Sequence, residues 1–124
     1  MKHKSWAKNP IDLFVLHTLE KVGRAPAEQA DSHALLRRAH FDLLGLPPDP
    51  ESIEKFVKKP DWPNLIKDLL ASPHYGERYG RHWLDVARYA DSSGYGRDYF
   101  FPHAARYRDY VIRSMNEDKP FTSF

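Results

Sequence analysis

The chain has 124 residues, 41% of them hydrophobic and 29% charged, a formal net charge of +2 and no cysteine. That length suits one domain with a modest core. The missing cysteine excludes disulfides, thiolate metal sites, a cysteine nucleophile and covalent c-type haem attachment, since no CxxCH motif is present. The small charge gives no electrostatic argument for nucleic acid, and no apolar run approaches the roughly 20 residues that span a bilayer.

Residues 1–8 read as a mobile basic tail without the apolar centre of a signal peptide, and the compartment stays open. Asn9-Pro10 is a helix start, with a capping side chain followed by a residue suited to the first turn. Ile11, Phe14, Val15, Leu19 and Val22 then recur at helical spacing up to Gly23, a natural C-terminal stop. After a linker, Asp31 or Ser32 caps a second helix. Leu35, Leu36, Ala39, Leu43 and Leu44 form its apolar face and Gly45 closes it.

Leu46-Pro47-Pro48 breaks the helix, and Asp49-Pro50-Glu51 restarts one with a cap, a first-turn Pro and a carboxylate near the helix dipole. This third helix carries Ile53, Phe56 and Val57 and stops before Pro60. A fourth is expected over residues 63–71 with Leu65, Ile66, Leu69 and Leu70 buried. Ser72-Pro73 caps a fifth, expected to run to Ala90. Residues 91–101 are a loop rich in Ser, Gly and Tyr. Pro102 opens a sixth helix that extends to about Asn116. Strand signals are absent. The pattern predicts an all-α fold of about six short helices in an irregular orthogonal bundle, a single helical domain over residues 9–124.

Every tyrosine lies between Tyr75 and Tyr110, and no lysine lies between Lys67 and Lys119. Arginine without lysine, mixed with Tyr, Trp, His and Asp, suggests groups held in fixed geometry. On the fifth helix Tyr75, Gly76, Tyr79, Gly80, Trp83, Val86, Ala87 and Ala90 share one face, which is expected to enter the core. Glycine costs about 1 kcal/mol relative to Ala inside a helix, so Gly76 and Gly80 imply that another segment passes close. The opposite face carries His74, Glu77, Arg78, Arg81, Asp85 and Arg88. Its expected pairs are Glu77–Arg81, Arg81–Asp85 and Asp85–Arg88. It reads either as a solvated face or as a surface that docks an acidic partner.

His82 lies at the border of the two faces. One reading makes it a hydrogen-bonded structural group. The other places it with Asp85 and Asp91 on a divalent cation, with His103 or Asp109 opposite, because His/carboxylate sets suit Zn²⁺ or Fe²⁺. The Gly-rich loop could fold into an anion-binding concavity or be a plain connection. Ser92 and Ser93 lack the context of a nucleophile elbow. In the sixth helix Arg106 and Asp109 form an expected i,i+3 pair. The candidate binding residues are therefore His74, Arg78, Arg81, Arg88, Tyr95, Arg106 and Asp109, and the candidate metal residues His82, Asp85 and Asp91.

Four strings carry a family resemblance: NPIDLFVLHTLE, LLRRAHFDLLGLPPDPE, LLASPHYGERYGRHWLDVARYADSSGY and RYRDYVIRSMNEDKPF. Together they resemble the planctomycete cytochrome-associated domain of unknown function, family 1549. Tyr79 departs from the pattern, where a Trp is common. The resemblance implies a segment of large exported or periplasmic chains, with a c-type cytochrome-like domain before it and a further domain after it. It implies that this chain is cut short at its C-terminal end, and it carries no catalytic residues. Three functions are then in play. The first is a helical interaction or docking module for the neighbouring domains. The second is a metal-assisted hydrolase or redox fragment with a His/Asp site at the end of the fifth helix. The third is a glycan-binding domain using Tyr95, Tyr99 and Trp83.

Overall fold

Proline and carboxylate punctuation decides where the helices begin. The structure, a computed structural model, describes residues 3–94 and 96–124. Among them are six α-helices: α1 (Pro10–Lys21), α2 (Ser32–Leu43), α3 (Pro50–Lys58), α4 (Trp62–Leu70), α5 (Pro73–Val86) and α6 (Ala104–Asn116). There is no strand among the described residues, and one isolated antiparallel bridge joins Ser92 to Phe100. The fold is all-α. The chain divides into two compact units, Met1–Ala30 and Asp31–Phe124, and the division falls inside the span expected as one domain.

In the first unit, Asn9 and Asp12 form a complete capping box at α1, each side chain accepting from the other's backbone N–H. A 3-10 turn, Lys4–Trp6, precedes it within the expected tail, and the His3 N–H donates to Glu20 Oε1 at 3.0 Å. The helix closes as a Schellman motif. Gly23 has φ +70°, its N–H bonds the Glu20 carbonyl, and the Arg24 N–H bonds that of Leu19. The side chain enclosed is Leu16; of the residues read at helical spacing, Ile11, Phe14, Val15 and Val22 are exposed and Leu19 is half-buried.

In the second unit, Asp31, Asp49, Asp61 and Ser72 cap α2, α3, α4 and α5. Helix α2 packs on α3, α4 and α5, and α5 packs on α6. The buried side chains are Leu36, His40, Phe56, Leu69, Val111 and Ser114. Phe56 meets Trp62 edge-on at 4.9 Å. Ile66 and Leu70, expected inside, are exposed, because α4 turns only its Leu69 side inward. Buried His40 was not anticipated. Its Nδ1 lies 3.0 Å from the Leu36 carbonyl, one turn back on α2.

The close approach expected at Gly76 and Gly80 is present, and the passing element is α6. A Cβ on Gly76 would meet the Ile112 carbonyl oxygen and stand 2.6 Å from Asn116 Oδ1. One on Gly80 would lie 3.4 Å from Ile112 Cγ1. Asn116 fastens the crossing, accepting from the Gly76 N–H at 2.7 Å and donating to the Pro73 carbonyl at 3.0 Å. Helix α5 stops at Val86 rather than at Ala90. Arg88 takes the left-handed conformation, φ +54°, and the Tyr89 N–H bonds the Leu84 carbonyl. This is again a Schellman ending, with Arg where Gly is usual.

Candidate functional site

Two features arise where α5 and α6 lie side by side. The first is an open groove of about 750 Å³. One wall is the α5 face with Tyr75, Tyr79, His82, Trp83 and Val86; the other is Ser114, Met115 and Asp118, followed by Lys119, Pro120, Phe121 and Phe124. Tyr75 stacks on Tyr79 at 4.6 Å, and Trp83 packs against Phe121 at 5.3 Å and Phe124 at 4.7 Å. The aromatic face of α5, expected as plain core, is thus half-buried. Its end is open, with Val86 79% and Phe121 73% exposed.

The wall contributed by residues 118–124 has local causes. Asp118, at φ +48°, ends α6, with the Lys119 N–H bonded to the Ser114 carbonyl. Pro120 then prevents further helix, and a 3-10 turn, Phe121–Ser123, brings Phe124 onto Tyr110 at 5.9 Å. Lys119 Nζ donates to Tyr110 Oη at 2.9 Å and lies 4.8 Å from the ring centroid. The Lys119 hydrogen bond lowers the Tyr110 pKa below the ordinary phenol value.

The second feature lies where α5 ends and α6 begins. The Trp83 indole N–H donates to Tyr107 Oη at 2.9 Å. The Tyr107 ring is 6.4 Å from that of Tyr89, and Tyr89 Oη donates to Asp91 Oδ1 at 2.5 Å. That bond to Asp91 raises the Tyr89 pKa, because it holds the neutral phenol beside a carboxylate. Arg108 binds Asp109 at 3.1 Å, which raises the guanidinium pKa.

The residues anticipated as a metal set are engaged separately. His82 meets the Tyr79 ring edge-on at 5.7 Å, Asp85 lies 4.0 Å from Arg81, and Asp91 receives the Tyr89 hydroxyl. Among the described residues no group of three His, Asp or Glu side chains is arranged to hold a metal ion. His103 precedes α6 with no side-chain capping bond.

The anticipated binding face is mostly exposed. His74 pairs with Glu77 at 2.8 Å, in place of the expected Glu77–Arg81 pair. Asp109 pairs with Arg108 rather than with Arg106, which is exposed at the start of α6. Arg88 is exposed, and its backbone, not its side chain, performs the visible task of ending α5. Arg78 is the half-buried member. Its stem lies against Gly45, and its Nε is buried with no hydrogen-bond partner. Tyr95 lies outside the described residues.

Described residues of the loop between α5 and α6 bond to one another. The Gly94 N–H, at φ +66°, donates to Asp98 Oδ1 at 2.8 Å, holding the Asp98 carboxyl below the usual range. Ser93 Oγ accepts from the Tyr99 N–H at 2.9 Å and donates to the Arg97 carbonyl at 3.3 Å. An internal carboxylate therefore occupies a donor that an external anion would need. The groove itself escaped sequence reasoning. Its one available signal was Phe121 and Phe124 after Pro120, a pair of rings that no helix could bury.

The chain matches the family model described as PSCyt2, protein of unknown function (DUF1549), over residues 10–124, and it belongs to that family. No curated protein and no solved structure matches it.

Proposed function

We propose that this DUF1549 domain is a non-catalytic docking module whose contact site is the groove between α5, α6 and residues 118–124. One observation carries the reading: the groove is aromatic-lined and its apolar surface continues outward onto Val86 and Phe121, 79% and 73% exposed. A small ligand is usually enclosed on most sides. An apolar surface that runs past its own rim suits a chain segment laid along it, such as an amphipathic helix with side chains at i, i+3 and i+4. Aromatic anchors in such a groove are the residue types that dominate binding energy at interfaces. The partners are the c-type cytochrome-like domain and the C-terminal domain implied by the family resemblance. In either case the docked segment presents an apolar face.

The test is an NMR titration of the labelled chain with each of those domains, produced separately. The Trp83 indole N–H and the Phe121 ring should shift together, and Phe121→Ala should weaken binding about tenfold or more. Because Phe121 is largely exposed, its removal leaves the fold in place. Saturable binding that leaves the groove signals unmoved, or that is untouched by Phe121→Ala, would place the docking surface elsewhere. No saturable binding by either domain would refute the reading.

A further inference from the structure

The row of rings leading from the groove to Asp91 has a chemistry that docking does not use. In a chain without cysteine, indole and phenol are the side chains that lose a single electron most readily. A phenol gives up an electron easily only when its proton leaves at the same time, because the oxidised phenol is a very strong acid. A carboxylate already hydrogen-bonded to the hydroxyl is the acceptor such a step needs. Tyr89 has that partner, with Oη 2.5 Å from Asp91 Oδ1. Its ring neighbours Tyr107 at 6.4 Å, and Tyr107 Oη accepts the Trp83 indole N–H at 2.9 Å. Ring pairs at such distances are in contact or nearly so, so an electron crosses no long gap.

We propose that Tyr89 and Asp91 form a proton-coupled one-electron redox site, reached from the groove through Trp83 and Tyr107. The oxidant is a one-electron acceptor of the metal-complex class, and it takes one electron from Trp83. Trp83 is refilled by an electron that leaves Tyr89 by way of Tyr107. The phenolic proton of Tyr89 moves to Asp91 Oδ1. The products are the reduced acceptor, a neutral Tyr89 phenoxyl radical and a protonated Asp91. A one-electron donor reverses the step, and the proton returns to the phenolate oxygen.

The neighbouring phenols mark Tyr89 as the end point. Tyr107 Oη is an acceptor from the indole, with no carboxylate bonded to it among the described residues. Tyr110 faces the Lys119 ammonium at 2.9 Å, and that positive charge opposes loss of an electron and cannot take a proton. Arg108, a cation whose charge acts on Tyr89, is countered by Asp109 at 3.1 Å.

The experiment uses photogenerated tris(bipyridine)ruthenium(III) in solution, so it does not depend on what docks in the groove. The readouts are transient absorption and electron paramagnetic resonance of freeze-trapped samples. A tyrosyl signal should form, and Tyr89→Phe should remove it or move it to another ring with altered hyperfine splitting. Asp91→Asn should slow its formation about tenfold or more, the scale of losing a positioned base. Tyr107→Phe should delay Tyr89 oxidation and prolong the Trp83 radical. In the unaltered chain the rate should be flat near neutral pH. A rate that climbs steadily with pH would mean that water takes the proton and would overturn the proposal. So would a radical unchanged by Tyr89→Phe.

Discussion

Replacing Gly76 with Ala tests whether the α5–α6 crossing is set by backbone contact. The added Cβ would press on the Ile112 carbonyl oxygen and lie 2.6 Å from Asn116 Oδ1. A comfortable separation is about 3.5 Å, so the helices must part by roughly 1 Å or the methyl must distort its surroundings. Neither neighbour yields easily. The carbonyl belongs to the α6 backbone, and Asn116 is held by its bonds to the Gly76 N–H and the Pro73 carbonyl. Overpacking of this kind costs about 1–3 kcal/mol, and weakening the two hydrogen bonds costs about 1 kcal/mol each. Better helix propensity returns about 1 kcal/mol. The net expectation is a loss of about 2–4 kcal/mol. Gly80→Ala is the internal control. Its Cβ would sit 3.4 Å from Ile112 Cγ1 and 3.5 Å from Val111 Cγ1, side-chain atoms able to give slightly. Here the propensity gain should dominate, leaving the variant unchanged or up to about 1 kcal/mol more stable. Urea denaturation followed by far-ultraviolet circular dichroism measures both. Gly76→Ala as stable as the parent, or both variants shifted equally, would refute a crossing fixed by backbone contact.

Asn116→Ala leaves the Gly76 N–H without its partner and should cost about 1–3 kcal/mol, read as a lower melting temperature. Gly45→Ala forces a Cβ residue to φ +73° and puts the methyl 3.2 Å from Arg78 Cδ; a loss of about 1 kcal/mol or more is expected in the same melts. Asp49 caps α3 through Ser52, and those bonds lower its carboxyl pKa. Its contribution is therefore complete above the unfolded value of 3.8 and is lost as pH falls through the folded value. Asp49→Asn keeps a capping side chain without the titration, so its melting temperature should fall less than the parent's on acidification from pH ~5 to pH ~2. Arg81→Ala should change stability by less than about 0.5 kcal/mol, because the Arg81–Asp85 pair is 4.0 Å long and its side chains are 74% and 70% exposed.

What could be read ahead of the structure divides along physical lines. Helix starts were legible because Asn9, Asp31, Asp49 and Ser72 each act within a few residues of themselves. The glycines on α5 were legible because their cost to a helix needs a compensating close approach, and α6 makes it. Helix ends were legible at Gly23 and Gly45 but not at Arg88, although Arg88 closes α5 by the same hydrogen bonds as Gly23 closes α1. A non-glycine residue at φ +54° is held there by its surroundings, and sequence spacing does not display those. Tyr89 lies directly after this turn and reaches both Tyr107 and Asp91.

The arginine-only stretch sharpens the same point. Fixed geometry was expected across it, and among the described residues it is clearest at Arg78, wedged on Gly45, and Arg108, bound to Asp109. The aromatics are the more constrained set. Tyr75, Tyr79 and Trp83 recur one turn apart on α5, and such a stripe reads as core because core is what usually covers it. Here the cover is a short wall of Phe121 and Phe124, delivered by the αL residue Asp118 and by Pro120. Periodicity specifies which rings share a face but not how much protein arrives to bury it. A stripe that is core by pattern is here one wall of an open groove, with Val86 and Phe121 exposed at its end.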